Sequence, residues 1–296
     1  MLQGMPSLRH LSLHCHLIGR IKITDAILRG RALERLTITD NHMKDLAPAL
    51  GELTSLTRLA LHSGSLLSLP EHISLLTGLR ELDLSPNAWC RLPAGLAACT
   101  NLTSLAVGFG SERSIPTKLE SLRSLSLVPV DNTYTAQENC TPLMGLTQLR
   151  INMRFRAECP EFKGMPCLRK LILSDYILSD LPSGAYLSRL TSLHMFDCFF
   201  QSGVPAALTN APQLRVLQLL NNRHLRSGIM LSDSDIMILS SCLPVLKVLF
   251  LEEPHELSEH EWDDRVALLM RQYTALGHAQ PIFLSDPENR TWDATW

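Results

Sequence analysis

Apolar residues fall at the first, fourth and sixth places of a short frame, and polar residues separate them. In Leu79-Arg80-Glu81-Leu82-Asp83-Leu84-Ser85-Pro86-Asn87 the alternation of Leu82, Asp83 and Leu84 is that of a strand with one buried face. Asn87 closes the stretch, where a carboxamide can bond to turn backbone. The frame recurs eleven times, and its apolar places begin Leu8-Leu11-Leu13, Leu33-Leu36-Ile38, Leu56-Leu59-Leu61 and Leu79-Leu82-Leu84. They continue as Leu102-Leu105-Val107, Leu122-Leu125-Leu127, Leu146-Leu149-Ile151 and Leu168-Leu171-Leu173. The last three are Leu190-Leu193-Met195, Leu214-Leu217-Leu219 and Leu246-Leu249-Leu251. Successive frames start 25, 23, 23, 23, 20, 24, 22, 22, 24 and 32 residues apart.

This frame and period resemble the leucine-rich repeat over residues 2 to 255. The return segments repeat too. Leu69-Pro70-Glu71-His72-Ile73 and Leu92-Pro93-Ala94-Gly95-Leu96 resemble the arcs of intracellular, Ras-group-like repeats, whereas Gly203-Val204-Pro205 looks like the plant type. The resemblance implies an α/β fold: a solenoid, or horseshoe, with a parallel concave sheet. Proline in the arcs disfavours long helices, so extended or 3₁₀ arcs are expected on the convex side. The 32-residue unit differs, because Ser232-Asp233-Ser234-Asp235 offers N-caps for a short convex helix. Residues 108–118 and 128–145 lack a clean frame end and arc, and irregular loops are expected there.

Two domains follow: a repeat array over 1–255 and a C-terminal cap and tail over 256–296. Leu2 to Leu13 matches Phe162 to Leu173 at seven of twelve places, so the chain opens inside a repeat. An array normally ends in a polar capping unit, and none is present at this end, so natural sequence is expected to extend upstream. At the other end Ser258-Glu259-His260-Glu261 reads as a capping box. Trp262, Val266, Leu269, Met270 and Tyr273 follow it at helical spacing, and Gly277 is the expected stop. Pro281-Ile282-Phe283-Leu284 predicts a last strand, and Trp292 and Trp296 are expected to fold back over the final layer, the alternative being an exposed partner motif.

Composition agrees with stacked layers. Hydrophobic residues make up 45% of the 296 and aromatics only 5%, so leucine has to fill the core. A net charge of −2 gives no bulk argument for nucleic acid or an anionic membrane. The eight cysteines form no C-x-x-C pair and no flanking cluster, which reads as reduced thiols and a cytoplasmic location. Cys198 stands where the frame takes Asn or Cys and is expected to be structural. No leader-like segment opens the chain, and no apolar run could span a bilayer.

Residues at the third, fifth and seventh places must point outward once the fourth and sixth point inward. The second place alternates Thr57, Arg80, Thr103, Arg123, Thr147, Arg169, Thr191, Arg215. Duplication of a two-repeat unit accounts for this, and so does an arginine ladder for carboxylates or phosphates of an extended partner. Toward the carboxyl end the outward places turn apolar. The candidate partner surface is therefore Arg123, Arg169, Ile172, His194, Phe196, Arg215, Leu220, Lys247 and Phe250, on the concave face.

No catalytic, cofactor or metal set emerges. His10 and His14 share a face but stand about 13 Å apart along a strand, too far to hold one metal ion. Gly108-Phe109-Gly110 lacks the remainder of a phosphate loop. The expected function is a non-enzymatic protein-interaction module with a protein partner, no nucleic acid and no cofactor. The resemblance also allows the substrate-recognition part of a ubiquitin ligase whose F-box lies outside this chain. It further allows a cytoskeletal or ciliary-axoneme scaffold.

Overall fold

The computed structural model describes residues 7–15, 32–40, 46, 48–62, 65–85, 87, 90–109, 119–129, 143–158, 162, 165–178, 180–200, 203–220, 231–251 and 258–284. Two compact units divide the chain, Met1–Arg154 and Phe155–Trp296. The tryptophans Trp292 and Trp296, and most of both expected irregular stretches, lie outside the described residues.

The first unit is a ladder of parallel strands in sequence order. These are β1 (His10–Cys15), β2 (Arg35–Asp40), β3 (Arg58–His62), β4 (Glu81–Leu84), β5 (Ser104–Phe109), β6 (Ser124–Pro129) and the start of β7 (Gln148–Glu158). Register follows the frame: Leu36 faces Leu59, Leu59 faces Leu82, and Leu82 faces Leu105. Equal places thus stack into continuous rows, and the first, fourth and sixth rows form the core. Leu56, Leu59 and Leu61 are fully buried, as are Leu79 and Leu84. One expectation needs correction. β5 and β6 continue through Phe109 and Pro129, with Gly108 paired to Val128, so order extends two residues further than the expected loops allow. A parallel ladder still supplies backbone bonds where the side-chain alternation lapses.

The second unit repeats the plan with β8 (Lys170–Leu178), β9 (Ser192–Phe196), β10 (Phe199–Phe200), β11 (Val216–Leu220), β12 (Val248–Leu251) and β13 (Ile282–Leu284). β10 pairs with β8; the main ladder runs β8, β9, β11, β12, β13, all parallel. Leu171, Leu193, Leu217 and Leu249 form one fully buried row.

The return arcs are 3₁₀ turns, as the prolines predict. Pro48–Glu52, Glu71–Leu75, Ala94–Ala98, Leu187–Arg189 and Ala206–Asn210 are each a single short segment. Pro70 and Pro93 sit at N-caps with φ of −68° and −71°, values the ring imposes anyway. Carboxylates tie one arc to the next. Glu71 Oε2 accepts from Gly95 N at 3.0 Å, and Asp180 Oδ1 accepts from Ala207 N at 3.0 Å. Each satisfies an amide at the start of a turn that has no partner within it.

The 32-residue repeat carries its helix. α1 (Asp233–Met237) starts on a Ser232 capping box and runs into a π turn at Ile238–Cys242. The wide turn leaves carbonyls to satisfy, and the C-terminal helix α2 (Glu259–Ala275) meets that need. Tyr273 donates its hydroxyl to Leu239 O at 2.6 Å, and His278 Nδ1 lies 2.9 Å from Ser240 O. Ser258 and Glu261 form the predicted capping box, and Gly277 ends the helix with φ +73°. Trp262, Leu269 and Tyr273 are buried, so α2 covers the last layer. Arg265 and Asp233 add an ion pair between α2 and α1 at 2.6 Å.

The frame's ninth place shows why polar residues recur inside a leucine core. Asn87 is fully buried and accepts from Leu66 N at 3.3 Å. It donates to Leu61 O in the preceding repeat and to Leu84 O in its own. Cys198 holds the same place in the second unit and donates to Leu173 O and Phe196 O. Burial pushes its thiol up to about 12. The folded chain therefore holds this proton more tightly than the unfolded chain, whose thiols titrate near 8.5. That stabilisation is complete below the unfolded value and is lost as pH rises toward 12. Between about pH 8 and about pH 10 Cys198 is expected to cost the second unit about 2 kcal/mol. Urea unfolding at the two pH values checks this. Cys198→Ser, which keeps a donor but does not titrate, should show a smaller loss.

Candidate functional site

Outward places form rows as continuous as the buried ones. In the second unit the fifth row runs Ile172, His194, Gln218, Phe250, and the seventh runs Ser174, Phe196, Leu220. His194 sits at their centre. Its Nε2 is 2.7 Å from Ser192 Oγ, its Nδ1 is 2.8 Å from Gln218 Oε1, and its ring stacks on Phe196 at 6.2 Å. The result is a hydrogen-bonded strip across β9 and β11 with an aromatic face on one side.

The expected exposure of this surface holds only in part. Ile172, Leu220 and Phe250 are buried, at 9%, 6% and 4% exposure. Parallel strands lie about 4.8 Å apart, so large side chains in adjacent outward places cover one another. His194 and Phe196 are half-buried. What remains exposed is the cationic set, Arg169, Arg215 and Lys247. Arg123 belongs to the first unit, and its guanidinium is turned onto Glu120 O and Leu122 O at 2.8 and 3.0 Å. It is thus already engaged by its own loop.

The alternation at the second place has a structural half that periodicity alone does not reveal. All four threonines donate to the second-place carbonyl of the preceding repeat: Thr57 to Glu34, Thr103 to Arg80, Thr147 to Arg123 and Thr191 to Arg169, at 3.0–3.1 Å. Each of these carbonyls already accepts two amides, for example Thr191 N and Ser192 N at Arg169 O. The hydroxyl is a third donor, so removing it leaves no carbonyl unpaired. Thr191→Val is expected to cost only about 0.5–1 kcal/mol, measured by urea unfolding.

The first unit presents a different surface. Two of its arginines are met by acids: Arg9 pairs with Glu34 at 2.8 Å and Arg58 with Glu81 at 3.1 Å. His62 Nε2 lies 3.1 Å from Asp83 Oδ2. Burial works to raise the Asp83 carboxyl, but hydrogen bonds from Ser85 and His62 outweigh it and hold the group below its usual range. His14 lies 2.9 Å from Ser12 Oγ. Among the described residues no three His, Cys, Asp or Glu side chains gather as metal ligands would. No helix there is long and apolar enough to cross a membrane.

No family model matches the chain, and no curated protein matches it. Among solved structures it is similar to TLR13, described in a complex with ssRNA13. That match has a TM-score of 0.55 and 20% identity over 86% of this chain and 40% of that one. The chain thus spans well under half the length of TLR13. It also matches internalin C2 of Listeria monocytogenes, with TM-score 0.43 and 23% identity over 64% of this chain and 80% of that one. A leucine-rich repeat protein of Leptospira interrogans matches with TM-score 0.33 and 17% identity, over 90% and 89%. The last two scores are too low to add weight. The TLR13 match, the stacked leucine rows, the buried Asn87 and Cys198 rungs and the 3₁₀ arcs agree: the chain has the leucine-rich repeat fold.

Proposed function

We propose that the chain is a protein-recognition module that binds its partner on the outward sheet face of the second unit. The observation that carries this reading is the fixing of His194 by hydrogen bonds to Ser192 and Gln218, with Phe196 stacked on its ring. Side chains held in this way lose little rotamer entropy when a partner docks. The exposed cations Arg169, Arg215 and Lys247 stand at one end of the same strands. Repeat stacking supports the reading because it presents side chains from distant parts of the chain on one continuous surface. Among the described residues Cys99, Cys167, Cys198 and Cys242 are free thiols, which supports placement in the reducing cytoplasm.

The test is affinity capture from native lysate with the full chain, with Phe196→Asp, and with Arg169→Glu plus Arg215→Glu. Both variants are expected to lose a shared set of captured proteins while keeping the melting curve of the parent. Phe250→Asp is not a useful variant, since Phe250 is buried and a carboxylate there would unfold the layer. If both variants retain every captured protein, the reading is wrong.

A further inference from the structure

The strands of the second unit begin at a cationic edge. Lys170 opens β8, while Arg169, Arg215 and Lys247 each stand one residue before β8, β11 and β12. Three of the four are exposed and Lys170 is half-buried. Among the described residues none of the four is paired with a carboxylate. At the equivalent edge of the first unit acids stand among the cations, in the Arg9–Glu34 and Arg58–Glu81 pairs. Asp175 and Asp197 sit at the eighth place, six residues along their strands and so about 20 Å from the edge. They cannot neutralise it.

Beside these cations runs an apolar row. Val216, Val248 and Ile282 face one another in register at the third place. The two valines are half-buried, and Ile282 is 64% exposed. An edge that joins unpaired cations to exposed aliphatic groups fits a ligand with carboxylates and apolar side chains together. A bare polyanion would satisfy the cations and leave the aliphatic row wet.

We propose that this edge binds an extended acidic polypeptide segment, laid across the strands, with carboxylates three residues apart and aliphatic residues between them. The proposal rests on the protein-recognition reading and supplies the chemistry of the partner. Arg169 and Arg215 belong to strands two apart in the ladder, which sets their backbones about 10 Å apart. A polyproline-type chain has three residues per turn and rises about 3.1 Å per residue. Residues i and i+3 therefore project from the same side at about 9 Å, the spacing the two guanidiniums offer. Each guanidinium can take a carboxylate with two parallel bonds. Lys247 lies on the adjacent strand, only about 4.8 Å beyond Arg215, so as a point charge it reinforces the carboxylate that Arg215 takes.

The test is fluorescence anisotropy with the full chain and a labelled synthetic peptide of about twelve residues, with Glu at every third position and Val or Pro between. Two competitors are compared: a peptide of the same composition with its Glu residues in one block, and a single-stranded oligouridylate of similar length. The spaced peptide is expected to bind at least about tenfold more tightly than either. Arg169→Glu with Arg215→Glu should weaken it at least about tenfold, and added salt should weaken it too. Arg80→Glu, in the first unit, should leave it unchanged, and circular dichroism melts should match for all variants. The proposal is overturned if the spaced peptide does not bind, if the blocked peptide binds equally, or if the oligouridylate binds more tightly. Peptide failure with capture still lost in Phe196→Asp sinks this proposal alone. Capture indifferent to all substitutions sinks the recognition reading beneath it.

Discussion

Replacing Asn87 with Ala is expected to destabilise the first unit by about 3 kcal/mol, as much as emptying a buried leucine site there. The carboxamide is fully buried and serves Leu66 N, Leu61 O and Leu84 O. Alanine supplies none of these bonds, and water cannot reach the groups left behind. A net hydrogen bond contributes about 1 kcal/mol, and an orphaned buried partner costs as much again or more. In a stack each repeat is held mainly by its neighbours, so weakening the link to the preceding repeat reduces the cooperativity of the whole unit. Urea denaturation should show the midpoint falling, and hydrogen exchange should show lost protection at Leu66 and along β4. Asn87→Cys offers a graded comparison. Cys198 donates to Leu173 O from the same place, so a thiol at position 87 can still donate to Leu61 O. It cannot accept well from Leu66 N. The expected loss is about half that of alanine. Equal losses for Ala and Cys would show that the ninth-place donor contributes nothing.

The buried half of this molecule was legible because it repeats. One frame, seen eleven times, reports which residues share a row, and row identity fixes strand register and core together. Ser232, Ser258 and Gly277 were legible for a local reason: capping depends on a few adjacent residues. The outward face was harder. Alternation says that Ile172, Leu220 and Phe250 point away from the core, and they do, yet all three are buried. Their cover comes from neighbours some twenty residues away in sequence, and periodicity carries no volume term for that. The alternating Thr and Arg were visible as a pattern, while the bond from each Thr to a carbonyl was not, because it depends on how closely successive coils approach. Asp180 and Glu71 passed unremarked for the same reason, since their partners Ala207 and Gly95 lie one coil further on.

Asp235 is a buried polar residue of the second unit, inside α1, and Asp235→Ala is expected to cost about 4 kcal/mol. Its carboxylate is 3% exposed. Oδ1 accepts from Val204 N at 2.8 Å, and Oδ2 accepts from Ser232 N at 2.9 Å and from Ser232 Oγ at 2.6 Å. One side chain thus closes the N-terminus of α1 and fastens the preceding arc to it. Bonds to a carboxylate are stronger than neutral ones, which places this loss above that of Asn87. Gly203 makes the arrangement testable by a second route. It has φ +74°, and a Cβ built on it would lie 2.7 Å from Asp235 Oδ1. Gly203→Ala therefore carries two penalties, backbone strain of about 1–2 kcal/mol and the clash. In the parent chain the sum is expected to be about 3 kcal/mol. In the Asp235→Ala background the clash disappears and only the strain remains, so the same substitution should cost about 1 kcal/mol. A double-mutant cycle from urea unfolding measures the difference. Strict additivity would mean that Asp235 does not hold the arc against Gly203, and the packing of α1 on the preceding arc would need another cause.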